Sequence, residues 1–239
     1  MKEGFIPSGS ANIHYEIHGE ENSEVLVLIH GNSGNLHYFD EQINYFKKDY
    51  KILALDSRGH GESTFGKGNL SLTVMADDLY NIIMSFGFYP FNLLGFSDGA
   101  SIAMYFALKH CPLIKKLILY GGNINPWGVK LSFQLPVFIS YQINRFASYL
   151  NPQMANLNRE YLGLMVNEPY IPEEDLKKIT ADTLVIVGSK DLIRKSHTKK
   201  IFENLPNAKM TVIQGGDHFC SKKMPEKFNP EVEKFLKTP

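Results

Sequence analysis

The stretch Phe91-Asn92-Leu93-Leu94-Gly95-Phe96-Ser97-Asp98-Gly99-Ala100-Ser101-Ile102-Ala103-Met104 changes its periodicity half-way along. The apolar run up to Gly95 has the length of a buried strand. Beyond Ser97 the apolar spacing becomes helical, with Ile102, Ala103 and Phe106 on one face. Gly95-Phe96-Ser97-Asp98-Gly99 fits G-x-S-x-G, a serine held in a strained strand-to-helix corner whose flanking glycines let neighbouring backbone pass close. Such a corner exposes the hydroxyl and aims the first helical N–H groups at charge forming beside it. A plain glycine-bounded helix start has the same five residues. The strand before and the helix after favour a nucleophile.

The rest of the chain repeats that alternation. Residues 11 to 18 alternate apolar and polar as an edge hairpin strand does, and Val25-Leu26-Val27-Leu28-Ile29 is a run suited to a strand covered on both faces. Helical spacing follows through Leu36, Phe39, Ile43 and Phe46. Then come a strand at Ile52–Leu55, a helix over Leu72–Phe86, and strands at Leu117–Tyr120, Thr183–Val187 and Met210–Ile213. Helices are expected around Thr198–Leu205 and at the end of the chain, with Phe228, Val232 and Phe235 facing inward. Strands and amphipathic helices in this order predict an α/β fold, a mostly parallel sheet covered on both sides, with ligands bound beyond the carboxyl ends of the strands.

One stretch interrupts the pattern. From about Asn123 to Pro172 no strand-like run occurs, and Trp127, Phe133, Phe138, Tyr141, Phe146, Tyr149, Met154, Tyr161, Met165 and Tyr170 are scattered among prolines. A structureless connection of that length is unusual in a compact domain, so a small helical insertion covering the strand ends is expected.

Length and charge bound the function classes. At 239 residues the chain suits one substantial domain, able to bury roughly 70–75% of its unfolded surface. Lys and Arg number 25 against 25 Asp and Glu, so no basic field favours nucleic acid or anionic lipid. The N-terminal residues contain no apolar signal-like core and no long apolar stretch follows, which predicts a soluble cytoplasmic protein. Cys111 and Cys220 have no metal-ligand spacing and are expected to be reduced thiols. Neither dinucleotide nor P-loop glycine signature is present.

A serine that transfers acyl groups needs a base, an acid to orient that base, and N–H donors for the oxyanion. His218, in Gly-Gly-Asp-His-Phe after the last strand, is the favoured base because it completes the order Ser…Asp…His. His60 and His30, loop residues before glycines, remain competitors; His14, His18, His37, His110 and His197 are expected on the surface. Asp191, after Gly188-Ser189-Lys190 on the preceding strand, is the candidate acid, with a turn or helix-capping duty as its plainer role. Asp217 is the weaker alternative, since adjacent loop side chains usually diverge. The backbone N–H groups of Asn32 and Asp98 are the candidate oxyanion donors. The Asp98 side chain has two readings: a carboxylate favoured by the helix dipole, or one attracting a cationic substrate such as an amino-acyl ester. Phe96, Trp127 and Tyr141 are the candidate substrate-binding side chains.

Together His30-Gly31, Asp56-Ser57-Arg58-Gly59-His60-Gly61-Glu62-Ser63, Gly95-Phe96-Ser97-Asp98-Gly99, Gly188-Ser189-Lys190-Asp191 and Gly216-Asp217-His218 resemble the α/β-hydrolase superfamily over nearly the whole chain. The resemblance implies an eight-stranded, mainly parallel sheet formed by residues 1–121 and 176–239, with 122–175 as a helical cap. It also implies Ser97, Asp191 and His218 as a catalytic triad, a structural role for Asp56–Ser63, and no metal or organic cofactor. Serine where relatives carry aspartate argues against epoxide hydrolase or haloalkane dehalogenase chemistry. The expected activity is a serine hydrolase of the carboxylesterase kind (EC 3.1.1), a monomer or homodimer acting on a small-molecule ester, thioester or lactone. The alternatives are a carbon–carbon bond hydrolase of ring-cleavage dienoates, whose acid group Lys130, Arg145 or Arg159 would bind, and a non-catalytic ligand-binding member of the fold.

Overall fold

Val25–Ile29 (β3) has no polar residue and is buried along its whole length. Its side chains divide by the period of two: Val25, Val27 and Ile29 enter one hydrophobic core, Leu26 and Leu28 the other. That division is carried across an eight-stranded sheet in the computed structural model, which describes residues 1–150 and 157–238. The strands are Lys2–Ser8 (β1), Ala11–His18 (β2), β3, Lys51–Leu55 (β4), Phe91–Phe96 (β5), Ile114–Tyr120 (β6), Asp182–Gly188 (β7) and Ala208–Ile213 (β8), in the order β1-β2-β4-β3-β5-β6-β7-β8. β1 and β2 pair antiparallel, as do β2 and β4, and every later pairing is parallel.

The edge differs from the expectation. Residues 11 to 18 lie inside the sheet, and Lys2–Ser8 forms the border outside them. Gly4 and Pro7 hide that strand from a pattern search, and an edge strand is where a proline is tolerated. Being interior, β2 is covered on both faces, so His14 is buried rather than on the surface; its Nδ1 lies 2.9 Å from Asp56 Oδ2.

Helices Asp40–Phe46 (α1), Leu72–Phe86 (α2) and Asp98–His110 (α3) follow strands β3, β4 and β5. Leu79 and Ile83 of α2, with Ile102 and Phe106 of α3, fill the core on one side; Ile43 and Phe46 of α1 fill the other. Between β6 and β7 run Leu131–Leu150 (α4), with Pro136 inside it, and Leu157–Asn167 (α5). Met154, named within the expected insertion, lies outside the described residues. Lys195–Asn204 (α6), Cys220–Lys223 (α7) and Pro225–Leu236 (α8) complete the chain, and Phe228, Val232 and Phe235 of α8 face inward. Among the described residues no helix is long and apolar enough to cross a membrane. Cys111 is half-buried and Cys220 buried, and both are free thiols.

His197, at the start of α6, is a second histidine that is not on the surface. A turn at Pro126–Gly128 settles on its ring, so closely that a side chain on Gly128 would come within 2.5 Å of it. Burial, helped by Lys200 and Arg194, holds its pKa down at about 4, and the neutral Nε2 accepts the N–H of Ile124 at 3.1 Å. His18 and His110 are half-buried and His37 is exposed.

Candidate active site

β5 runs into α3 with one residue between them. Ser97 takes φ 55° and ψ −119°, a conformation that costs a side-chain-bearing residue roughly 1–3 kcal/mol and persists because its surroundings enforce it. A Cβ on Gly95 would stand 2.2 Å from the Gly99 carbonyl oxygen, and one on Gly99 would stand 2.1 Å from that of Ile29. The Ser97 N–H donates to the carbonyl of Tyr120 at 2.9 Å, which ties the corner to β6. Its hydroxyl is left at the rim of the sheet over the start of α3.

The loops after β7 and β8 meet beside it. Gly188 ends β7 so close to the next loop that a Cβ would lie 2.4 Å from the carbonyl oxygens of both Gly216 and Asp217. The Lys190 N–H donates to the Gly216 carbonyl at 2.8 Å, and the contact sets Asp191 and His218 face to face. His218 Nδ1 is 2.8 Å from Asp191 Oδ1, and His218 Nε2 is 3.1 Å from Ser97 Oγ. Because the carboxylate can only accept, Nδ1 carries the proton and Nε2 is free to accept from the serine. The Ile193 N–H also donates to Asp191 Oδ1 at 2.9 Å, while Oδ2 is buried with no partner among the described residues.

The competitors bond elsewhere. His30 Nδ1 lies 2.7 Å from the Gly31 carbonyl and its Nε2 accepts the Ser57 N–H at 3.0 Å; burial and the neighbouring His60 hold its pKa down at about 4. His60 directs Nδ1 at the Arg58 carbonyl. Asp217 points away from His218: it accepts the Phe219 N–H at 2.9 Å and pairs with Lys223, which lowers its pKa. The Asp56–Ser63 loop is internally tied. Asp56 accepts the N–H groups of Leu36 and Glu62, and Arg58 forms a buried two-pronged pair with Asp78.

Asn32, after β3, sits where the chain comes against the nucleophile, since a Cβ on Gly31 would be 2.9 Å from the Ser97 Cβ. Among the described residues the backbone N–H groups of Asn32 and Asp98 donate to no other protein group, and both residues line the cavity containing Ser97. The side-chain amide of Asn32 donates to Asp98 Oδ2 at 2.9 Å and to the Tyr161 carbonyl at 3.0 Å. The Asp98 carboxyl is enclosed although the residue as a whole is half-buried; burial raises its pKa to about 6, with the Asn32 bond opposing.

This cavity has a volume of about 210 Å³. Of the three candidate substrate-binding side chains, only Phe96 lines it. Trp127 lines a separate cavity of about 260 Å³, and Tyr141 lines a third of about 520 Å³ together with Arg145 and Arg159. Asn123, Phe133, Gln134, Met165 and Glu168 line the Ser97 cavity from the insertion, and none was singled out from the sequence as a substrate-binding residue. Leu192 and Ile193, directly after Asp191, line it as well.

The comparisons with known proteins concern the fold and the family. A proline iminopeptidase of Pestalotiopsis fici is 26% identical over 90% of this chain and 92% of its own. A putative esterase/lipase of Haemophilus influenzae is 25% identical over 94% of this chain and 88% of its own. The solved structure of an esterase from Exiguobacterium antarcticum superposes with a TM-score of 0.83 at 22% identity, covering 98% of this chain and 99% of that one. The family model for the alpha/beta hydrolase fold matches residues 24–157, more than half of the sequence, and the chain belongs to that family of hydrolases.

Proposed function

We propose that the protein is a serine hydrolase that cleaves a small carboxylic ester, thioester or lactone through an acyl-enzyme, with Ser97, His218 and Asp191 as its triad. The observation that carries this reading is the continuous relay from Asp191 through His218 to Ser97, at 2.8 Å and 3.1 Å. His218 Nε2 takes the hydroxyl proton as Ser97 Oγ bonds to the carbonyl carbon, and the oxyanion receives the N–H groups of Asn32 and Asp98. When the intermediate collapses, the bond to the leaving oxygen or sulfur breaks and His218 returns the proton to that atom. Water then attacks the acyl-enzyme, giving its proton to His218, and the acid leaves with Ser97 restored. Residues 122–175 serve as the cap over this site.

Carbon–carbon cleavage of a dienoate needs a cation near the serine. Arg145 and Arg159 line a different cavity, and the Lys130 ammonium bonds the carbonyl of Asp191. Among the described residues, the charged groups that line the Ser97 cavity are Asp98 and Glu168. They favour a second reading in which the acyl group carries an ammonium, and a proline iminopeptidase is among the proteins this chain resembles.

A panel of p-nitrophenyl esters of increasing chain length, with Ser97→Ala as control, tests the proposal. Hydrolysis abolished by the substitution supports it; a folded protein that cleaves none of them and resists a fluorophosphonate label refutes it. Matched amino-acyl and uncharged esters test the second reading, which fails if the two are cleaved equally.

A further inference from the structure

The cavity at Ser97 and the cavity beside Trp127 are divided by a thin wall. Gln134 lines both, and the neighbouring residues Met165 and Val166 of α5 line one each. The second cavity is otherwise apolar, formed by Pro126, Trp127, Leu131, Leu135 and Phe138. At about 210 and 260 Å³, each alone is smaller than the ~300–1,000 Å³ usual for a ligand site, and the two joined fall within that range.

The wall is poorly secured. Gln134 is 6% exposed; its Nε2 donates to the Met165 carbonyl at 2.9 Å, while its Oε1 is buried with no partner among the described residues. An amide held by one bond, with its acceptor unmet, loses little by swinging aside and regains a partner where water reaches it. Beyond it, Trp127, Leu131 and Leu135 are 71%, 63% and 50% exposed, an apolar surface that a hydrocarbon chain would cover.

We infer that the Trp127 cavity is an annex of the Ser97 site that takes an unbranched aliphatic chain attached to the reacting carbonyl, with Gln134 as the residue that admits it. The inference rests on Ser97 as the nucleophile only for its kinetic consequences. An acyl chain that reaches past Gln134 gains about fourfold in kcat/KM for each methylene buried.

Trp127 is the single tryptophan of the chain, so its emission reports occupancy of the annex without any reaction. In Ser97→Ala protein, methyl octanoate shifts that emission to the blue in a saturable way and methyl acetate does not; Leu135→Asp, a change at a half-exposed position, abolishes the shift. With Ser97 intact, kcat/KM for p-nitrophenyl octanoate exceeds that for the acetate at least tenfold. That ratio falls toward one in Leu135→Asp and rises in Gln134→Ala. An unmoved emission, or a shift that survives Leu135→Asp, overturns the annex. A saturable shift in a protein that hydrolyses no ester keeps the annex and removes the nucleophile. Hydrolysis with neither a shift nor a changed ratio removes the annex and keeps the nucleophile.

Discussion

The side-chain amide of Asn32 donates to the carboxyl of Asp98 across 2.9 Å, clasping the loop after β3 to the first turn of α3 beside Ser97. Burial raises the pKa of that carboxyl from 3.8 to about 6, against the Asn32 bond, which lowers it. A carboxyl raised on folding binds its proton more tightly in the native state, so its contribution to stability is greatest below the unfolded pKa and is lost as pH climbs through about 6. Asp98→Asn keeps the acceptor for Asn32 and removes the buried charge. It is expected to be more stable than wild type at pH 8 by about 3 kcal/mol, several degrees in Tm, with the gain closing toward pH 4. Thermal unfolding of both proteins between pH 4 and 8 checks this; a gain independent of pH would remove the buried charge as its cause.

Ser97 stores strain that a glycine would not. Its φ of 55° is available to glycine without a side-chain clash, so Ser97→Gly is expected to raise stability by about 1–3 kcal/mol. The same change is expected to lower kcat by about 10⁶-fold. Denaturant midpoints and ester turnover measured together test the trade. Loss of turnover without a gain in stability would mean that the corner is relaxed.

Much of this site is written in the chain, and the unwritten parts share a cause. Ser97, Asp191 and His218 are legible because each stands at a strand end marked by glycines that only a close backbone approach requires, as at Gly95, Gly99 and Gly188. The strands are legible where burial on both faces makes them uniformly apolar, as in β3. Lys2–Ser8 fails that test because an edge strand need not be apolar. His14 and His197 are buried by elements distant in sequence, so no local pattern reports it. The insertion is legible as helical and not as a surface: Trp127 and Tyr141 each line a cavity neighbouring that of Ser97, and Gln134 lines both the Ser97 and the Trp127 cavities. Which side of a helix turns inward there depends on packing against the strand-end loops.

Asp191 Oδ1 accepts two N–H groups while Oδ2 has none among the described residues. Asparagine can reproduce the accepting oxygen only by burying an NH₂ with nowhere to donate. If it flips instead, the NH₂ meets His218 Nδ1 and forces the proton onto Nε2, the wrong tautomer for a base. Asp191→Asn is therefore expected to fold and to lose about 10⁴-fold in kcat. Circular dichroism and turnover measured on the same sample check it, and a wild-type rate would move the acid elsewhere.

Gly188 tests whether the meeting of two loops, rather than the three side chains alone, makes the site. A methyl group there would have to occupy space 2.4 Å from two backbone carbonyl oxygens, and backbone does not yield as a flexible side chain does. Gly188→Ala must part the β7 loop from the β8 loop, stretching the bond from the Lys190 N–H to the Gly216 carbonyl and carrying His218 away from Asp191. A displacement of about 1 Å at a reacting group costs on the order of 10²-fold in rate, so turnover is expected to fall at least that far along with Tm. Gly215→Ala is the matched control in the same loop: its Cβ meets nothing within 4 Å, and only its φ of +80° is strained. It should lose stability by about 1 kcal/mol with a far smaller loss of rate. Equal losses of rate in the two variants would mean that loop strain of any kind, and not the closeness of Gly188 to the His218 loop, governs the alignment of the imidazole.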